Sequence, residues 1–207
     1  MRQKERLADL LYVIAVEKHG IVDLNKSQDY LKVGNYIVLK RKYSKVNWVT
    51  WFESSYGWSH AIILTKMITN TSNIVVLEAR GFDLYSRYIS WEDWKKTNPY
   101  NSSNVTSAMI VDMNISSTSQ DALISYCNNT LWNKPYPSIT SIYNSKYDTD
   151  TLYCSSLVWR AHKSSGAFVD LDDTSCFYIK GTCWDIVSPA DLVVDADTKG
   201  KRFPVKW

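Results

Sequence analysis

Aliphatic residues near the start of the chain recur with the period of an α-helix. The spacing i, i+3, i+4 and i+7 is found at Leu7, Leu10, Leu11 and Ile14. This spacing places apolar side chains on one face of a helix, and a glycine follows where such a helix would end. The pattern predicts a helix over residues 4–18 with this stripe laid on the core.

Short runs of β-branched and aromatic residues predict strands at residues 35–40 and 107–113. Two further apolar runs, residues 59–64 and 73–78, are separated by a short polar segment and predict a hairpin.

Serine residues at helix-start positions predict the other helices. Ser117 with Gln120 predicts a helix over residues 118–132, and Ser90 with Asp93 predicts another helix start. Ser188 followed by a proline predicts one short helical turn. A last helix is predicted to begin at Cys154, because Leu157, Val158 and Ala161 follow with helical spacing.

Length and composition predict one globular domain over residues 1–207, because 45% of the 207 residues are apolar and 22% are charged. The longest apolar run, Leu10 to Val16, is far shorter than the roughly 20 residues that span a bilayer. We therefore expect no transmembrane segment. A leader is not expected either, because Asp9 interrupts the basic and apolar start. The compartment stays open.

The net charge is only +3, and the basic residues cluster at Lys40, Arg41, Lys42 and Lys45. Such a cluster is typical of a solvated strand edge, and nucleic acid is not an expected partner.

The cysteines and histidines show no metal-binding spacing, so neither a metal site nor another cofactor is expected. Cys127 follows the helical spacing of its apolar neighbours and is predicted to be buried. Cys176 and Cys183 could form a disulfide or remain thiols.

Cys154 is the candidate nucleophile. A thiol at a helix N-terminus lies at the positive end of the helix dipole, which favours the thiolate. The alternative is that Cys154 only packs in the core.

His60 is the candidate base. His162 lies about 12 Å along the same helix as Cys154, beyond hydrogen-bond reach, and His19 suits a helix C-terminus. His60 lies in an apolar strand, where an imidazole needs partners. A hairpin symmetric about Thr69 would place it opposite Glu78, which could orient the ring. The alternative is a pair that only holds the hairpin together, and a one-residue slip would separate the two side chains.

Four segments carry a resemblance to a known family: Gly57–Ile63, Val76–Ala79, Asn133–Tyr136 and Tyr153–Trp159. Over about residues 33–195 the chain resembles the circularly permuted papain-fold hydrolases, the YiiX/YycO-like branch of the NlpC superfamily. Residues 1–32 would form a helical extension.

The resemblance implies an α+β fold, with an antiparallel sheet or small barrel packed against helices and the nucleophile at a helix N-terminus. It also implies Cys154 as nucleophile, His60 as base and Glu78 as its polar partner. Two departures bear on substrate preference. Ser156 stands where the family usually has Glu, and Ala61-Ile62 replaces a Gly-containing sequence after the histidine.

These features predict a cysteine hydrolase that cleaves a peptide-like amide through an acyl-enzyme. The Tyr153 hydroxyl is a further candidate, as support for the oxyanion. The first alternative is a lipid acyl hydrolase or acyltransferase on the same triad. The second is a non-catalytic binding module whose many aromatic residues stack on sugars. Oligomeric state stays open.

Overall fold

The computed structural model describes most of the chain. The described residues are 2–41, 57–81, 84–101, 105–138, 141, 146–165, 169–172, 177–179, 182–184, 186–194 and 200–207.

Five α-helices and nine strands are described. The helices are α1 (Arg2–His19), α2 (Trp91–Thr97), α3 (Ser117–Tyr126), α4 (Cys154–Ser164) and α5 (Pro189–Val194). The strands are β1 (Val22–Asp23), β2 (Tyr36–Lys40), β3 (Trp58–Met67), β4 (Asn70–Glu78), β5 (Arg87–Ser90), β6 (Ser107–Asp112), β7 (Phe177–Ile179), β8 (Thr182–Trp184) and β9 (Lys201–Lys206). None of the helices in these ranges has the length and apolar character needed to cross a bilayer.

A seven-stranded mixed sheet runs in the order β1-β9-β6-β2-β3-β4-β5. Only the short β1–β9 pair is parallel, and the other described neighbours are antiparallel. The predicted strands at 35–40 and 107–113 and the predicted hairpin are confirmed as β2, β6 and β3–β4. The sequence analysis did not predict β9, which pairs with β6 inside the sheet. The fold is therefore α+β, with helices packed on a sheet.

The predicted strand edge at the basic cluster is wrong for its described part. Strand β2 lies between β3 and β6. Lys40 Nζ lies 2.7 Å from Asp9 Oδ1, and Arg41 Nη2 donates to Asn98 Oδ1 at 2.8 Å. Both cations are thus bound within the fold, and Lys42 and Lys45 lie outside the described residues.

The two faces of the sheet carry separate apolar clusters because side chains alternate along each strand. One face, here the helical face, packs against α1, α3, α4 and α5, and takes Ala61 and Ile63 from β3. The other, here the α2 face, packs against Trp91 and Trp94 and takes Ile62. Each side chain of β3 and β4 therefore faces either the helical face or the α2 face of the sheet.

Helix α1 confirms the predicted helix but corrects its buried face. Leu7, Leu10 and Ile14 are 40–53% exposed. The buried positions are instead Glu5, Ala8 and Ala15. Of the predicted stripe, only Leu11 packs against the core, and it is partly buried. The face of α1 that meets the core is therefore rotated from the predicted one.

The predicted serine caps are confirmed at Ser90 and Ser188, whose Oγ atoms accept from the amides of Asp93 and Asp191 at 3.1 and 3.2 Å. The rest of the helix predicted over residues 118–132 is a π-helix, Cys127–Leu131, while α3 itself ends at Tyr126 and begins one residue earlier than expected. Its cap is Ser116, which accepts from the Ser119 amide at 3.1 Å.

Candidate functional site

Cys154 is the first residue of α4, as predicted, and it is buried. The helix start is stabilised by Ser156. Its Oγ accepts from the Tyr153 amide at 3.0 Å and donates to the Tyr153 carbonyl at 2.9 Å. The serine that departs from the family pattern thus has a local structural role: it fixes the turn that holds Cys154.

Tyr153 and Ser155 tie this helix start to the segment before α5. The Tyr153 hydroxyl accepts from the Val187 amide at 2.7 Å, and Ser155 Oγ donates to the Val187 carbonyl at 2.7 Å. Tyr153 is almost fully buried. This contact holds the Tyr153 hydroxyl against the segment before α5, and its oxyanion role stays a prediction.

The far end of α4 is anchored by His162. Its ring nitrogens lie 2.9 Å from the Val158 carbonyl and 2.8 Å from the Gly34 carbonyl, and its ring packs edge-on against Tyr36. His162 therefore links α4 to β2, and its hydrogen bonds lead away from Cys154, in accord with its exclusion as a base.

Cys154 lies towards the end of the sheet where β3 begins. The Trp58 amide, at the start of β3, lies 3.5 Å from Glu5 Oε2 of α1. Lys4 Nζ of α1 lies 2.7 Å from Asp191 Oδ1 of α5. Because the start of α4 is bound to the segment before α5, the start of β3, α1, α5 and Cys154 are grouped at one end.

His60 and Glu78 are brought together, although their register differs from the prediction. Ile63 pairs with Leu77 and Leu64 with Val76, and continuing this pairing places Ile62, not His60, opposite Glu78. The displacement is two residues, so His60 and Glu78 remain on the same face. Their side chains meet diagonally, with Nε2 and Oε2 3.5 Å apart.

Two residues that the sequence analysis missed complete the environment of Glu78. Arg87 in β5 donates to Oε1 through Nε at 3.1 Å and Nη2 at 2.9 Å. Trp94 in α2 donates its Nε1–H to Oε2 at 3.2 Å. The sequence could have indicated that Glu78, if buried, needs hydrogen-bond donors. It does not show which arginine or tryptophan supplies them.

These donors keep Glu78 ionised. Burial opposes the charge, but the hydrogen bonds from His60 and Arg87 and the charge of Arg87 hold the Glu78 pKa below its usual value. The carboxyl group is therefore an acceptor at neutral pH and can orient the imidazole.

His60 is held as a neutral imidazole. Burial and the positive charge of Arg41 lower the His60 pKa below 6.5, and the hydrogen bond to Glu78 opposes this effect only in part. A neutral ring that donates from Nε2 to Glu78 leaves Nδ1 with a lone pair. That nitrogen is the one available as a base.

His60 and the helix of Cys154 lie on different faces of the sheet. The His60 side chain bonds to Glu78, which also binds Trp94, so the ring lies on the α2 face. Helix α4 packs on the helical face, against Ala61 and Ile63. The described side-chain hydrogen bond of His60 is to Glu78, and the triad that adds Cys154 stays a prediction.

The remaining cysteine predictions lie partly within and partly outside the described residues. Cys127 is buried, as predicted, and burial raises its pKa to about 12. Cys176 and the side chain of Cys183 lie outside the described residues. Across the described parts of the chain, no group of three or more His, Cys, Asp or Glu side chains is placed to hold a metal ion.

Comparison with known proteins supports the fold. The chain is similar to the crystal structure of metalloprotein YiiX from Escherichia coli O157:H7, with a TM-score of 0.51 and 14% identity over 84% of this chain and 88% of that one. No family model and no curated protein matches the sequence. The chain therefore has a YiiX-like, papain-like fold.

Proposed function

We propose that this protein is a cysteine hydrolase that cleaves a peptide-like amide, with Cys154 as nucleophile, His60 as base and Glu78 as the orienting acid. The observation that carries the proposal is the pairing of a neutral imidazole with an ionised, fully buried carboxylate. A buried cysteine begins a helix towards the same end of a YiiX-like sheet.

The proposed reaction passes through an acyl-enzyme. Sγ of Cys154 attacks the substrate carbonyl, and its proton moves to Nδ1 of His60. The imidazole then gives that proton to the leaving nitrogen as the C–N bond breaks. Water hydrolyses the thioester through the same imidazole and restores the thiol. Backbone N–H groups of the first turn of α4, which point out of the helix N-terminus, would stabilise the oxyanion.

Proton transfer from Cys154 to His60 requires that both side chains lie on the same face of the sheet. The start of β3 offers a route, because Trp58 pairs with Lys40 and His60 with Leu39, which leaves Ser59 as an extra residue. A bulge re-aims the side chains beside it. Moving this bulge by one residue would turn His60 towards α4 and release it from Glu78, so the carboxylate would hold the ring in the resting state and the thiol would meet it after the shift.

Removal of the thiol tests the nucleophile. Purified protein is assayed against peptidoglycan peptides and acyl esters, and Cys154→Ala is expected to lower turnover by about 10³-fold or more. Cys127→Ala is the matched control, since it removes another buried thiol, and circular dichroism confirms that both variants fold. Undiminished turnover by Cys154→Ala would refute Cys154 as nucleophile.

Thiol reactivity tests the link between Cys154 and His60. Iodoacetamide labelling is followed against pH, and mass spectrometry of peptides separates Cys154 from Cys127. Cys154 is expected to react with a midpoint below about 8.5, the value of a free thiol, and His60→Gln is expected to change that profile. An identical profile in the two proteins would show that the ring does not reach the sulfur.

One observation favours the lipid acyl alternative. Leu7, Leu10, Val13 and Ile14 form an exposed aliphatic stripe on α1, each 40–53% exposed, and such a stripe suits a lipid surface. Preference for esters presented in vesicles over soluble peptides, lost in Leu10→Glu, would select this alternative. The aromatic binding module is less favoured because Trp58, Trp91, Trp94 and Trp159 are buried.

A further inference from the structure

Glu78 is held by more donors than orientation of His60 requires. One oxygen, Oε1, is bound by the guanidinium fork of Arg87, and the other, Oε2, by Trp94 and His60. The carboxylate is fully buried, whereas the Arg87 side chain is 47% exposed. Arg87 thus places a positive charge next to the Glu78 carboxylate, which is shielded from solvent.

The charge of Arg87 matters for the imidazole as well as for the carboxylate. A buried carboxylate without a cation would attract a second proton onto the neighbouring ring, because an imidazolium would be its nearest counter-ion. An imidazolium has no lone pair and cannot accept the proton of a thiol. A base at His60 therefore requires that another group balance Glu78.

We propose that Arg87 is a positioning residue: it binds Oε1 of Glu78 and balances its charge, so that Oε2 orients His60 while the imidazole stays neutral with Nδ1 free. The relevance of this role to catalysis rests on the proposed function. The arrangement itself rests on the contacts of Glu78.

The other charged groups around the ring act in the same direction. Arg41, after β2, and Arg80, after β4, both disfavour a charged His60. From α2 the group that reaches the pair is the neutral indole of Trp94. Arg87 differs from Arg41 and Arg80 because it binds Glu78 directly, so its removal takes away a charge and also releases the carboxylate.

The test is an NMR titration of the His60 ring in the full-length protein, with its signals assigned through His19→Gln and His162→Gln. Arg87→Met is expected to raise the titration midpoint by roughly one pH unit. Arg87→Lys keeps the charge without the fork and is expected to give a smaller rise. Arg80→Met, which removes a nearby charge that does not contact Glu78, is the matched control.

A midpoint in Arg87→Met equal to or below that of Arg80→Met would overturn the proposal. If Arg87→Met does not fold, Arg87→Lys is compared with the wild type, and a midpoint equal to or below that of the wild type overturns the proposal. For any substrate that is hydrolysed, the acid limb of the kcat/KM profile should shift upward with the NMR midpoint. A shifted midpoint without turnover in the wild type would refute the proposed function and leave the role of Arg87 intact.

Discussion

Glu5 and Glu78 are both buried, yet their surroundings drive their protonation in opposite directions. Burial raises the pKa of Glu5 to about 8, and one long contact from the Trp58 amide does little to oppose it. Burial also acts on Glu78, but the donors from His60 and Arg87 lower its pKa to about 2.

The difference lies in the neighbours and not in the depth of burial. Glu78 meets Arg87 and Trp94, whereas the charged groups near Glu5 include the acids Asp9 and Asp191 as well as Lys40. On the α2 face the fold thus keeps a carboxylate ready to orient a histidine. At the helical face a carboxyl group is kept largely protonated.

Replacement of Glu5 is expected to give the largest effect. Because folding raises the Glu5 pKa, the free energy of unfolding of the wild type is highest below about pH 4.5. It falls as pH rises through about 8. Glu5→Gln should remove this loss and stabilise the protein at pH 9 by roughly 3–5 kcal/mol. Urea unfolding at pH 5 and pH 9 measures it, and equal gains at both pH values would contradict the assignment.

Replacement of Glu78 should give a change of opposite sign. Because folding lowers the Glu78 pKa, ionised Glu78 stabilises the protein above about pH 4.5. This stabilisation is lost as pH falls to about 2. Glu78→Gln should therefore destabilise the protein by about 2–3 kcal/mol at pH 7. The difference from wild type should shrink in acid, and a penalty unchanged down to pH 2 would argue that packing alone is responsible.

The smallest expected effect comes from Trp94→Phe, which keeps an aromatic ring but removes one donor to Glu78 Oε2. We expect a loss of about 1 kcal/mol in the free energy of unfolding at pH 7. Trp91→Phe is the matched control, because Trp91 stacks on Trp94 and lies on the same face. Equal losses in the two variants would mean that the hydrogen bond contributes nothing beyond ring packing.

Much of the fold could be predicted from local patterns. The strand periods, the serine caps at Ser90 and Ser188 and the helix that begins at Cys154 are confirmed, because each depends on a few neighbouring residues. The hairpin register was wrong by two residues, since the strand pairing shifts between Thr65 and Met67, a local irregularity that no alternation pattern shows. His60 and Glu78 are still in contact, because a displacement of the strand pairing by two residues leaves both side chains on the same face of the sheet.

The sequence by itself determined the helices and the strands β2, β3, β4 and β6, and that a cysteine begins one of those helices. Tertiary structure decided that Leu10 stays exposed while Glu5 is buried, that Arg87 and Trp94 bind Glu78, and that His60 points away from the face where α4 packs. The physical reason is range: periodicity and capping act over one or two turns of chain. Face, burial and charge balance depend on residues that meet only when distant strands and helices have packed.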